Sequence, residues 1–477
     1  MSQGQIYQES SKPPTLQEQI RRHPALALAA GLPRPLAPVA NQKLYVRGVW
    51  PKPHHPPRRV AASTAFPPSP RRSDAVRVGL VTPGLHRGGA EQWMLSMIDH
   101  CDRSRVHWVG MAVLYPQHHD PRTQAAFHRR VPVGVGGGAV EELYRRVDVA
   151  VVWGINGLDQ RVPERPRNPK VVLVSHGIGP WTARVFEQSE EADAVVAVSR
   201  AALAPMPAEA RDRATVITNC HEPSRIVPKG SRDAARGAWG AGPGETVVGF
   251  LGRLSDEKNP AALVELAAAA PGVRGVYVGT GAGEAALRSL AASRGVADRI
   301  VFHAAVDAPG DVLAAFDRLL LPSHEEACSI TLLEAWAAGV PVLATPVGLV
   351  PEHPDLVRLL PARPTGEQTR AALEQDLADA GGTGERVGRA KRVAEAEHSP
   401  QLFGREWTRF LVELGGLAPA LREWFDEAVS LARGNCGCDG RKAGRPPRAV
   451  HEGLEPMEAA PGAATAHAPS GLASIET

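Results

Sequence analysis

The chain lacks any apolar run near the ~18–20 residues that a membrane-spanning helix needs. The nearest candidate, inside "RRHPALALAAGLP" from Arg21, stops after about eight apolar residues and starts late for a secretory leader. It reads as a short docking helix or as disorder. Net charge is also small: a formal +3 over 477 residues provides no global field for nucleic acid. The five cysteines (Cys101, Cys220, Cys328, Cys436, Cys438) are scattered and odd in number. That is no secreted disulfide framework, and it fits a reducing, cytoplasmic compartment. No short period repeats along the chain, which argues against a solenoid. The "NCGCDG" segment at Cys436 and Cys438 offers only two ligands, too few for a structural metal site.

Glycine and proline, by contrast, are abundant, at 47 and 43 residues, and much of the excess lies at the ends. Residues 1–73, with "PKPHHPPRRV" at Pro51–Val60, read as a disordered Pro/Arg-rich arm, and residues 434–477 as a disordered tail. Between them the length allows two or three domains and hence a cleft. Near-continuous apolar runs start at Val76, Val106, Val147, Lys170 and Ala192, then again at Thr246, Val273, Arg299, Asp317 and Val340, with helical segments between them. Strands buried on both faces read this way, and their alternation with helices predicts two parallel sheets in tandem. The expected division is a first Rossmann-like domain at 74–225, a second at 226–400, and C-terminal helices at 401–433.

Three segments carry candidate chemistry. In "LPSHEEACSITLLEAWAAGVPVLATPVG", from Leu321, a strand leads into a loop and then a helix beginning near Ser329. This places Glu326 in the loop and Glu334 about one turn into the helix, where carboxylates can grip hydroxyls held against the helix N-terminus. Thr331 and Glu334 equally have the spacing of a capping box, which needs no ligand. In "GFLGRLSDEKNP", from Gly249, Arg253 and Lys258 follow a strand and precede Asn259-Pro260, read as N-cap and first helical residue. Two cations beside a helix start suit a diphosphate, though a basic surface turn looks the same. In "GLHRGGAEQ", Gly88 and Gly89 let backbone approach a ligand, or simply make a tight turn. "VPVGVGGGAV", with Gly134, Gly136 and Ala139, matches the dinucleotide fingerprint only loosely and reads as a glycine-rich surface loop. "VGTGAGEAAL", from Val278, has Glu284 where that fingerprint needs its last glycine.

Taken in order, "RGGAEQ", "GRLSDEKNP" and "LPSHEEACSITLLEAWAAGVPVLAT" resemble the retaining, nucleotide-sugar-dependent glycosyltransferases of the GT-B fold, the glycosyl transferases group one superfamily, family-four-like. The resemblance spans roughly residues 76–415 and is strongest in the second half. It implies two Rossmann-like domains facing a central cleft. It further implies that Arg253 and Lys258 hold the donor diphosphate, Glu334 the ribose, and Glu326 the transferred sugar. His176 in "VSHG" takes the place of a family histidine facing that sugar, and Gly88 and Gly89 line the acceptor side. "TVITNCHEP", from Thr215, is similar to the family stretch that precedes the second domain. Ala327, Cys328 and Ser329 stand where the family commonly has Gly-Phe-Gly; the Cys328 and Ser329 positions are still expected to contact the donor through backbone and hydroxyl.

The implied activity is a metal-independent hexosyltransferase. No Asp-x-Asp motif lies near these residues, so cations would stabilise the departing phosphate. No cofactor is expected beyond a UDP- or GDP-linked donor substrate. The acceptor is a glycan, lipid or small molecule, with peripheral membrane contact possible and no nucleic acid. The alternative is a catalytically weak sugar-nucleotide-binding or scaffold protein, an option fed by the altered 327–329 segment.

Overall fold

The computed structural model describes residues 66–67, 72–115, 117, 119–154, 169–178, 186 and 192–417. The N-terminal arm up to Ala65, the C-terminal tail, the Cys436/Cys438 pair and the residues expected as helix beyond Leu417 lie outside the described residues.

Thirteen strands form two all-parallel sheets among the described residues. The first sheet holds β1 (Val76–Thr82), β2 (Val106–Val113), β3 (Val133–Val135), β4 (Val149–Trp153), β5 (Lys170–Ser175), β6 (Ala194–Ala197) and β7 (Ala214–Val216), ordered 3-2-1-4-5-6-7. The second holds β8 (Thr246–Leu251), β9 (Val273–Val278), β10 (Ile300–His303), β11 (Arg318–Leu321), β12 (Val342–Ala344) and β13 (Arg358–Leu359), ordered 10-9-8-11-12-13. Every apolar run named above contains one strand. Their valines and leucines are buried because helices cover both faces of a parallel sheet.

In each sheet the order reverses once, between β1 and β4 and between β8 and β11. Loops at the carboxyl ends of such neighbouring strands diverge to opposite faces and leave a crevice for a ligand. The three sequence motifs occupy these places: the glycine segment follows β1, the Arg253–Lys258 segment follows β8, and Glu326 follows β11.

The segment "VPVGVGGGAV" is not a surface loop. Val133–Val135 is an edge strand, Gly136 turns the chain at φ 87°, and a helix runs over Gly137–Arg146. After the second sheet, the Ala380–Glu397 helix packs on the Ile330–Ala338 helix, and the chain then returns to the first sheet. There the Pro400–Leu414 helix lies on the Gly89–His100 helix, with Trp407 against Trp93 at 5.7 Å between ring centroids. No helix among the described residues is long and apolar enough to cross a membrane.

Candidate active site

The loop after β8 is folded tightly by its own carboxylate. Glu257 accepts from the Ser255 hydroxyl at 2.6 Å and lies 3.2 Å from the Arg253 guanidinium. Burial pushes this carboxyl up, but the Ser255 hydroxyl, Arg253 and Lys258 outweigh it and hold Glu257 below its ordinary range. The Glu257 carbonyl accepts from the amides of His324 and Glu325, which fastens this loop to the one after β11. Lys258 and Glu326, the two candidates on either side of the seam, form an ion pair at 2.7 Å, and Ser323 donates to the same carboxylate oxygen at 3.0 Å. Gly279, at the end of β9, packs so closely here that a Cβ would meet the Gly252 carbonyl at 1.9 Å.

The Pro260 and Asn259 assignments need correction. The helix runs over Ala261–Ala269 with Pro260 at its N-cap, while Asn259 sits in the left-handed region at φ 49°. Its side-chain amide donates to the Pro322 carbonyl, so it serves the seam between the loops instead of the helix start.

The capping-box reading of Thr331 and Glu334 is also overturned. Ser329 is the N-cap of the Ile330–Ala338 helix, accepting from the Leu332 amide, and Thr331 is already helical. Glu334 is buried, and its carboxylate meets Arg225 at 2.7 Å. Burial raises its pKa, and Arg225 opposes that rise. The same guanidinium donates to Gln92 at 3.0 Å, on the helix that follows the glycine segment. Through Arg225, Glu334 therefore ties the Ile330–Ala338 helix to the Gly89–His100 helix on the first sheet.

Ala327 and Cys328 are fixed from the first sheet as well. Ser199 donates to the Ala327 carbonyl at 2.8 Å, and Asn219 donates to the Cys328 carbonyl at 2.9 Å. In a trans peptide the N–H points opposite its carbonyl, so the Cys328 and Ser329 amides turn away from Ser199 and Asn219. The Cys328 thiol is buried and its pKa raised by that burial, which keeps it protonated and unreactive.

Gly88 and Gly89 are exposed, and a Cβ on Gly89 would lie 3.8 Å from Ile330, the first residue of the helix across the cleft. The glycine segment and the N-terminus of the Ile330–Ala338 helix thus face each other. His176, one residue beyond β5, is set edge-on against Trp93 at 4.3 Å and Trp153 at 6.1 Å, and its Nε2 has no hydrogen-bond partner. Burial pushes its pKa down to about 3, so it is a neutral imidazole at any working pH.

Glu91, in "GGAEQ", escaped the sequence reading. It is buried and accepts from the His86 amide at 3.0 Å, so it shapes the glycine segment. Burial pushes its carboxyl up to about 7, against the pull of the His86 amide and Arg253. A carboxyl raised on folding stabilises the protein below its ordinary pKa, and that contribution is lost as pH rises through about 7. Glu91→Gln keeps the acceptor without the charge. Urea unfolding at pH 5 and pH 8 is expected to show the wild type losing about 3 kcal/mol relative to this variant. Parallel pH profiles would remove the assignment.

Residues 231–353 match the family model described as "Glycosyl transferases group 1". This stretch is similar to the group 1 glycosyl transferases. Among curated relatives, a D-inositol 3-phosphate glycosyltransferase of Rhodococcus opacus is 41% identical over 150 residues, 29% of this chain and 33% of that protein. One of Mycobacteroides abscessus is 37% identical over 133 residues, 26% of this chain and 30% of that protein. The chain thus spans about a third of the length of the curated relatives it matches. Among solved structures, Anabaena HepE in complex with UDP-glucose aligns with TM-score 0.61 and 18% identity, covering 71% of this chain and all of that one. Sucrose-phosphate synthase from Thermosynechococcus elongatus aligns with TM-score 0.57 and 16% identity, covering 72% and 99%. The fold is GT-B, with two Rossmann-like domains.

Within the matched stretch, both glutamates are already held by cations, Glu326 by Lys258 and Glu334 by Arg225. Sequence reasoning missed Arg225 because 109 residues separate it from its partner. It also missed Gly348, at φ 63°, where a Cβ would meet the Glu326 Cβ at 2.9 Å. The "PVG" turn after β12 was the available signal for that second residue.

Proposed function

We propose that the protein is a retaining, metal-independent glycosyltransferase that moves a hexosyl group from a UDP- or GDP-linked donor to a glycan, lipid or small-molecule acceptor. The observation that carries this reading is the Lys258–Glu326 contact at 2.7 Å, which joins the loops after β8 and β11 at the switch point of the group 1 domain. HepE, a neighbour in fold, is solved with UDP and with UDP-glucose, and this favours a uridine donor. The inositol 3-phosphate glycosyltransferases favour a small hydroxylated acceptor.

In this reading the donor diphosphate lies between Lys258 and the exposed Arg253, with the N-terminus of the Ile330–Ala338 helix adding its amides. As the bond from the sugar anomeric carbon to the β-phosphate oxygen breaks, these positive groups stabilise the charge growing on that oxygen. The acceptor oxygen bonds to the anomeric carbon on the face the nucleotide leaves, and its proton passes to the departing phosphate. No side-chain base is assigned, and the neutral His176 serves as a neighbour of the sugar. Glu326 orients the sugar hydroxyls, while Glu334 takes the ribose hydroxyls by sharing them with Arg225. Gly88 and Gly89 admit the acceptor.

The experiment is a hydrolysis panel. UDP-, GDP- and ADP-hexoses are incubated with the protein, and released sugar is followed by proton NMR. Release from one nucleotide class, with the donor's anomer appearing first, is the expected result; release of the opposite anomer would refute retention. A second reading, a binding protein with weak turnover, draws on the carbonyls of Ala327 and Cys328 being tied to Ser199 and Asn219. Saturable donor binding without any release would favour it.

A further inference from the structure

The chain crosses between the two sheets twice, at Asn219–Glu222 and at His398–Ser399. The crossings touch: the His221 amide donates to the His398 carbonyl at 3.1 Å, and His398 Nδ1 faces the Asn219 carbonyl at 3.3 Å. His398 is buried to 4% exposure, yet its Nε2 has no partner. An imidazole with one nitrogen on a backbone carbonyl and the other bare is the arrangement of a metal-ligating histidine, since the carbonyl fixes the tautomer and aims the lone pair. Two further donors lie close to this imidazole. His353 and Glu397 each offer an atom, and the three donor atoms lie within 4.8 Å of one another.

We propose that His353, Glu397 and His398 bind a divalent transition-metal ion of the zinc class at this double crossing. Two imidazoles and one carboxylate suit Zn²⁺, Co²⁺ or Ni²⁺ and are poor ligands for the harder Mg²⁺ or Ca²⁺. A tetrahedral site with bonds of about 2.0–2.2 Å sets its donors about 3.3–3.5 Å apart, so the three draw together by about 1 Å on binding. The Glu397 side chain is 57% exposed and can make that move, and it leaves the ion a path from solvent. The edge of Trp336, at 5.8 Å from the His353 ring and 6.4 Å from that of His398, gives both rings a fixed wall. With water as fourth ligand the ion staples the end of the second sheet's helices to the return crossing. It also reaches the donor loop, because Asn219, whose carbonyl faces His398, donates its side-chain amide to the Cys328 carbonyl.

The test uses the full chain in a Cys436→Ser/Cys438→Ser background, which removes the thiols of the tail. Chelator-treated protein is titrated with Zn²⁺ by calorimetry and with Co²⁺ by visible absorption. One equivalent is expected to bind, with the intense d–d bands of tetrahedral Co²⁺. His353→Ala, at a half-buried position, and Glu397→Gln, at an exposed one, are expected to weaken binding by more than about 100-fold while leaving the far-UV circular dichroism of the chain unchanged. Absence of binding, or binding equally tight in both variants, would overturn the site. Neither outcome depends on donor turnover, so the proposal stands or falls apart from the glycosyltransferase reading.

Discussion

Lys258→Ala is expected to lower hydrolysis of the sugar nucleotide by about 10²–10³-fold in kcat, the cost of removing one group aimed at developing charge. The ammonium is anchored by Glu326 at 2.7 Å, at the seam of the two switch-point loops. Its removal also leaves Glu326 with only the Ser323 hydroxyl, so the sugar side of the grip loosens with the phosphate side. Lys258→Arg is expected to recover little, because a planar fork cannot occupy the place of a compact ammonium on the same carboxylate oxygen. Steady-state nucleotide release decides it, and an unchanged kcat for Lys258→Ala would detach this pair from the chemistry.

Arg225→Met has the other large expected effect, and it falls on stability. Glu334 is buried, and Arg225 is the cation on its carboxylate, so the substitution strands a charge at a cost of about 3–5 kcal/mol. Because the same guanidinium holds Gln92, the loss is shared by the contact between the Gly89–His100 helix and the Ile330–Ala338 helix. Replacing both partners, Arg225→Met with Glu334→Leu, is expected to restore most of the stability, since an apolar pair leaves no unpaired charge. Donor affinity is expected to stay low in the double variant, because the ribose loses its carboxylate. Urea midpoints and donor titrations on the single and double variants separate the two roles. Equal stability of Arg225→Met and wild type would show that the pair is not the buried clamp described here.

Most of the fold was legible because ten strands are runs of valine and leucine buried on both faces, and such runs stand out from their polar surroundings. The three missed strands show the limit. β3 and β7 have three residues each, β13 has two, and the outer residues of β7 and β13 are half-buried or exposed, so no apolar period marks them. The site was legible to the extent that it is local: Arg253, Lys258 and Glu326 lie on loops that adjacent parallel strands bring together. Helix starts were less so. The start near Ser329 was legible, but the Asn259-Pro260 start was off by one residue and the Glu334–Arg225 contact, across 109 residues, left no local sign. The carbonyl ties from Ser199 and Asn219, and the buried acid of Glu91, likewise follow from the two sheets meeting and leave no periodic trace.

The central claim is that a sugar nucleotide sits where the loops after β8 and β11 face Gly88 and Gly89. Isothermal calorimetry with UDP-, GDP- and ADP-hexoses, run on the wild type and on Glu334→Gln, tests it most directly. One-site binding of one nucleotide class, weakened in Glu334→Gln through the ribose, is the expected result. Binding of none of the three to the wild type would contradict it.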